Sequence, residues 1–383
     1  MKKVYFFEGI RGVAAFVVVI SHFIQVFYPG LFSLNPELAH NEFEKNIAQS
    51  PLNLLYNGNF AVCIFFVLSG FVLSYKYFVK KENGILVESA VKRYFRLALP
   101  VTVSVLFAYI LLKFNLYYYG YSISITKSTM PDFYAMEASL LNALQEGLFG
   151  AFFLKEFSHN AVLWTMYYEL LGSFIVFAFL ALFGNVRNRV IPYILLVVMF
   201  WDSYFVAFIL GMILCDLHVN LSEKAHLIVK NKIVVLVTFL VGIYLASFPY
   251  VDVQGTMYEF IIIEGLEVNY FIMAHIVGAF LILFALLYSK LLQKIFELRP
   301  FLYLGNVSFS LYLIHFIIIN SVSCYIFLKL FEQGISYNVS FLMAFCISIV
   351  VTFVLAHYMT KYVDLNSVKL SKLVYDKLFK KID

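Results

Sequence analysis

The chain is a succession of apolar runs, each about as long as a bilayer is thick, and this constrains its fold more than any other feature. An α-helix rises 1.5 Å per residue, so about 20 apolar residues cross a hydrocarbon core of ~30 Å. On that ruler the expected spans cover roughly 5–28, 57–78, 94–113, 161–183, 233–248, 269–288, 306–331 and 339–361. Lipid offers no hydrogen bonds to a backbone, so each must be helical. The stretch 190–217 is too long for one crossing, since a single helix there would measure ~42 Å. It would also carry Arg187 and Arg189 to the side opposite Lys224, Lys230 and Lys232. A hairpin of two short helices, broken near Trp201-Asp202, keeps these cations together. The expectation is an all-α, polytopic membrane bundle of ten helices with both termini cytoplasmic.

Composition agrees. Hydrophobic residues make up 62% and charged residues only 13% of the 383, against about 25% charge in soluble domains. So little charge cannot clothe a water-facing surface, which excludes a soluble enzyme, a disordered chain and a nucleic-acid binder. The net charge of +5 is not spread evenly. Lys and Arg gather at Lys2/Lys3, Lys80/Lys81, Lys92/Arg93/Arg96, Arg187/Arg189, Lys230/Lys232, Lys290/Lys294 and Lys377/Lys380/Lys381, whereas the loops 29–56, 114–160 and 249–268, with Glu264 among their acids, are dominated by carboxylates. The positive-inside rule places those loops outside. Glu8 and Arg11 interrupt the first apolar run and no small-residue cleavage site follows, so it reads as a retained helix. Residues 1–361 form one transmembrane domain by this reading, and 362–383 a basic amphipathic tail on the cytoplasmic surface.

Ionisable groups inside a bilayer are costly, so each marks a candidate site. The first span holds Glu8, Arg11 and His22. At 100° per residue, the eleven steps from Arg11 to His22 make three turns plus ~20°, so both share one face about 16 Å apart along the axis. Glu8 lies on the same face one turn below Arg11 and can pair with it. Such a face suits a long ligand, anionic at one end and reactive at the other, and a nucleotide thioester has that shape. Imidazole is the side chain best able to take a proton near neutral pH. Taken singly, Arg11 would also serve as a snorkelling anchor and His22 as an interhelical hydrogen-bonding residue.

Further along, Arg93 and Arg96 are i,i+3 neighbours able to clamp a phosphate, although a basic cluster there also satisfies the positive-inside rule alone. Trp164 suits an interfacial aromatic belt, while Glu169 needs a partner within the membrane and could orient His22. Ser308, Tyr312 and His315 draw one polar stripe on an otherwise apolar helix, as interhelical contacts or as site support. His159, Asp202, Asp216 and His275 stand without a motif and read as locally satisfied. Cys63, Cys215, Cys324 and Cys346 lack paired spacing, which supports neither disulfides nor a metal site.

In this order the residues resemble the acyltransferase 3 family of integral-membrane acyltransferases. The likeness rests on Phe7 to Ala15 followed by His22, similar to the family's Arg-x10-His signature, and on Phe65 to Phe71. It continues through Arg93-Tyr94-Phe95-Arg96, Leu163-Trp164-Thr165 and the run from Gly305 to His315, covering essentially the whole chain. Glu8 departs from the Asp that often opens the first motif. The resemblance implies a bacterial inner-membrane enzyme that moves an acyl group, most often acetyl, onto a sugar hydroxyl of an envelope polysaccharide, O-antigen or lipid-linked glycan. The donor implied is cytoplasmic acetyl-CoA or another acyl-CoA, a co-substrate rather than a bound cofactor. His22 is implied as general base or acyl carrier supported by Glu169, with Arg11, Arg93 and Arg96 near the CoA entrance. Glu8, Trp164, Ser308, Tyr312 and His315 would support substrate or structure. The competing reading is a transporter or flippase for a polysaccharide or lipid-linked sugar, drawn from the many spans, the midplane polar groups and the broken helix; no inverted repeat supports it.

Overall fold

The computed structural model describes residues 4–263, 265 and 267–379. Lys2, Lys3, Glu264, Lys380 and Lys381, all used in the charge argument, lie outside the described residues, as does the side chain of Lys224. Among the described residues all regular structure is helical. Seven helices among the described residues are long and apolar enough to cross a membrane: α1 (Tyr5–Phe27), α2 (Gly58–Lys80), α3 (Gly84–Lys113), α4 (Ala161–Phe183), α8 (Tyr270–Tyr288), α9 (Arg299–Glu332) and α10 (Tyr337–Phe379). Between α4 and α8 come three shorter apolar helices, α5 (Val190–Met199), α6 (Phe205–Asn220) and α7 (Lys232–Ala246).

The expected break near Trp201-Asp202 is present, because α5 stops at Met199 and α6 resumes at Phe205. Arg189, which precedes α5, grips Asp216 near the far end of α6 with two hydrogen bonds of 2.7 Å, and Tyr193 adds a third at 2.8 Å. The two helices are therefore antiparallel. Two segments carry more regular structure than the sequence reading specified. The segment 114–160 is not a plain loop: it holds helices Tyr119–Thr126 and Leu140–Gln145, the latter running into a π-helix at Glu146–Leu154. The tail does not begin as a separate element either, since α10 continues through a π-helical turn at Thr360–Asp364 as far as Phe379.

The chain divides into two compact units. The first comprises Met1–Val17, Asn46–Arg93 and Tyr168–Gly305. Apolar side chains give lipid-embedded helices no hydrophobic reason to leave lipid for one another, so close backbone packing holds them instead. A Cβ on Gly70 of α2 would come 2.8 Å from the carbonyl carbon of Phe208, and one on Gly211 of α6 would come 2.9 Å from the amide of Phe71. Each helix thus gives the other a groove at backbone level. The second unit comprises Val18–Lys45, Tyr94–Tyr167 and Asn306–Asp383. Aromatic edges pack its centre, with Phe27 against Phe327 at 5.1 Å and Phe23 against Phe345 at 4.9 Å between centroids. Asn160, just before α4, donates to Leu313 O of α9 at 2.8 Å.

Candidate active site

In the second unit the sequence-predicted His22 and His315 meet. Nε2 of His315 lies 3.0 Å from Nδ1 of His22. Nδ1 of His315 in turn lies 3.1 Å from Leu311 O. A carbonyl only accepts, so that nitrogen bears the proton and neutral His315 turns a lone pair toward His22. Nδ1 of His22 is also 3.0 Å from Val18 O, and therefore faces two acceptors. It must be the protonated nitrogen, which leaves the His22 lone pair on Nε2. His315 is fully buried and His22 partly accessible. The polar stripe on α9 is tied to the start of α4, because Tyr312 Oη donates to Val162 O at 2.6 Å and lies 2.8 Å from Thr165 Oγ1. Ser308 is buried and Trp164 partly so.

His159, read from sequence as locally satisfied, belongs to a buried pair in the same unit. Its Nδ1 lies 2.8 Å from Glu146 Oε2, and its backbone amide donates to both oxygens of that carboxylate at 3.1 Å. Its other ring nitrogen is buried without a hydrogen-bond partner. No sequence signal could have joined residues thirteen apart across a π-helix and a turn.

In the first unit, two ion pairs engage the sequence-predicted site residues. Glu8 and Arg11 pair at 2.5 Å, and Arg11 also donates to Gly305 O at 2.9 Å. This packing explains the glycines of the first motif. A Cβ on Gly9 would come 2.7 Å from the carbonyl carbon of Phe296, and one on Gly12 would come 2.6 Å from that of Leu304. The second pair joins Arg93 to Glu169, with Ser69 Oγ donating to Glu169 Oε1 at 3.1 Å. The sequence reading assigns Glu169 to His22 and Arg93 to a phosphate, whereas the structure engages them with each other. A carboxylate among apolar helices needs a cation, and Arg93 reaches it. Arg96 is exposed. His275 is fully buried among Asn59 Nδ2 at 2.7 Å, Asn57 Nδ2 at 2.9 Å and Phe248 O at 2.9 Å, a locally satisfied group as expected.

Set beside known proteins, residues 4–357 match the family model described as Acyltransferase domain, the family Acyl_transf_3. The chain is 26% identical over 429 aligned positions to the O-acetyltransferase PaAT-1 of Phomopsis amygdali, covering 97% of this chain and 84% of that protein. No solved structure matches.

Proposed function

Because the chain belongs to the acyltransferase 3 family of membrane acyltransferases, we propose that it moves an acyl group, acetyl before others, from cytoplasmic acyl-CoA to a hydroxyl of a cell-envelope carbohydrate. The observation that carries this reading is the imidazole pair, which leaves the lone pair of His22 on Nε2. Nε2 takes the proton of the acceptor hydroxyl as its oxygen bonds to the thioester carbonyl carbon. The carbon–sulfur bond then breaks, and the imidazolium returns its proton to the departing thiolate. The same nitrogen is the one that would carry the acyl group in a two-step transfer.

Arg11, Arg93 and Arg96 are the cations assigned to the CoA phosphates. Arg11 is held by Glu8 and Gly305 O, and Arg93 by Glu169, so both guanidiniums are positioned before a ligand arrives. Glu169 acts in this scheme as the residue that fixes Arg93. Ten crossings would be made by the seven long helices with α5, α6 and α7, and the basic clusters support cytoplasmic termini; a bacterial inner membrane is the setting this reading expects.

The test is transfer of labelled acetyl from acetyl-CoA to envelope glycan by membranes bearing each variant. His22→Ala should abolish transfer with the protein still in the membrane fraction. His315→Ala should slow it by about 10²-fold, the scale of a mispositioned general base. Unchanged glycan acetylation in His22→Ala would end the proposal.

A further inference from the structure

The segment that follows α1, residues 28–45, holds only short helical turns, Pro29–Phe32, Pro36–Leu38 and the start of Glu44–Ala48, yet it is tied down within the second unit. Tyr28 Oη donates to Asn338 Oδ1 at 2.9 Å, and Asn338 Nδ2 donates to Asn41 Oδ1 at 3.1 Å. His40 Nε2 donates to Thr126 O at 2.9 Å, and Lys127 Nζ to Ala39 O at 3.3 Å. The His40 ring also stacks on Tyr337, centroids 3.8 Å apart and planes 18° from parallel. A loop pinned at so many points has lost its freedom already, so a ligand binding to it would not bear that cost.

The pinned loop walls a cleft of about 470 Å³, whose lining includes Gly30, Ser33, Asn35, Asn41, Glu42 and Lys45. That volume lies within the range of roughly 300–1,000 Å³ typical of small-ligand sites. Asn35, Glu42 and Lys45 are exposed. Beneath the floor lies Glu44, fully buried. Its Oε1 accepts from the amides of His40 at 2.9 Å and Asn41 at 2.8 Å, and from Asn41 Nδ2 at 3.2 Å. Its Oε2 is buried with no hydrogen-bond partner. Such an atom calls for an explanation, because an unsatisfied carboxylate oxygen costs more than a neutral group would. Oε2 sits directly under Gly30. A Cβ there would collide with it and come 2.8 Å from Cα of Ala39, another residue of the cleft wall. The missing side chain at Gly30 is therefore what makes room for that carboxylate against the cleft wall.

Burial holds the His40 imidazole below its usual range, so it is neutral at pH 7. Lys45 and Lys127, whose Nζ lies on Ala39 O, then balance Glu42 and Glu44, so the cleft offers no excess of positive charge to a phosphate or a carboxylate. Among the described residues no group of three His, Cys, Asp or Glu could hold a metal ion. Two amides, a hydroxyl, a carboxylate and an ammonium around an open cleft instead match a neutral ring whose hydroxyls both donate and accept. We infer that this cleft binds a sugar ring of the acceptor glycan and serves as its recognition subsite. The inference rests on the carbohydrate reading above and names the residues that read the sugar.

Saturation-transfer NMR on the full-length protein in nanodiscs tests it, with lactose, cellobiose and chitobiose as probes. Ring protons of at least one disaccharide should receive saturation. Affinity for that probe should fall about tenfold in Asn35→Ala and in Glu42→Gln, the scale of one lost hydrogen bond to a charged or amide group. Both positions are exposed, so folding should be unaffected. Absence of saturation with all three probes, or wild-type affinity in both exposed variants, overturns the inference. Acceptor-independent hydrolysis of acetyl-CoA by the same preparations separates it from the donor reading. Sugar binding without hydrolysis in the wild type would remove the acyl-CoA assignment and leave the cleft standing.

Discussion

At the scale of single residues, the decisive fact is which charge answers which. Glu169 and Arg93 are each only 14% exposed, and Ser69 adds a hydrogen bond to the carboxylate. Removing one member of such a pair leaves the other's charge in an apolar setting, which costs about 3 kcal/mol, whereas removing both can be nearly neutral. Glu169→Gln should therefore lower the thermal midpoint in detergent clearly more than the double change Arg93→Met with Glu169→Met. Equal losses in the two proteins would show that the pair is not what stabilises this part of the first unit. The sequence made Glu169 visible as an expensive carboxylate but could not name its partner, because residues 76 apart meet only through folding.

At the scale of helices, glycine explains more than apolar periodicity does. Gly12 is where α1 meets the backbone at Leu304 and Gly305, while a Cβ on Gly84, at the start of α3, would meet nothing within 4 Å. Gly12→Ala forces backbones apart and should destabilise by about 1–3 kcal/mol. Gly84→Ala, with room to spare, should be neutral or stabilise by up to about 1 kcal/mol through the unfolded chain. Thermal midpoints of the two variants give the comparison, and matching values would refute the close-packing account. The glycines stood inside recognisable motifs, yet nothing in the sequence said what each one approaches. Helix α5 was more legible: a stretch too long for one crossing and two basic ends demanded a break, and Met199 to Phe205 supplies it.

For the whole molecule, the proposal fixes sidedness through charge. Acidic residues dominate the segments after α1 and α3, while Lys80, Lys81 and Lys92 flank the short connection from α2 to α3. In a background with the four cysteines replaced, Glu137→Cys should react with a membrane-impermeant maleimide in intact cells. Glu82→Cys should react only after the membrane is opened. Reversed labelling would invert the topology and strand the acyl-CoA assignment on the wrong side.

Hydropathy and charge are summed along the chain, so the amino-acid order alone determined that this is a helical membrane protein, where most crossings lie and which polar groups deserve scrutiny. The motifs likewise needed no coordinates to indicate acyl transfer. Pairing is different, because a hydrogen bond depends on where two distant segments come to rest. Only the tertiary structure joined His22 to His315, gave Glu146 to His159, and folded residues 30–45 into a cleft above a buried carboxylate.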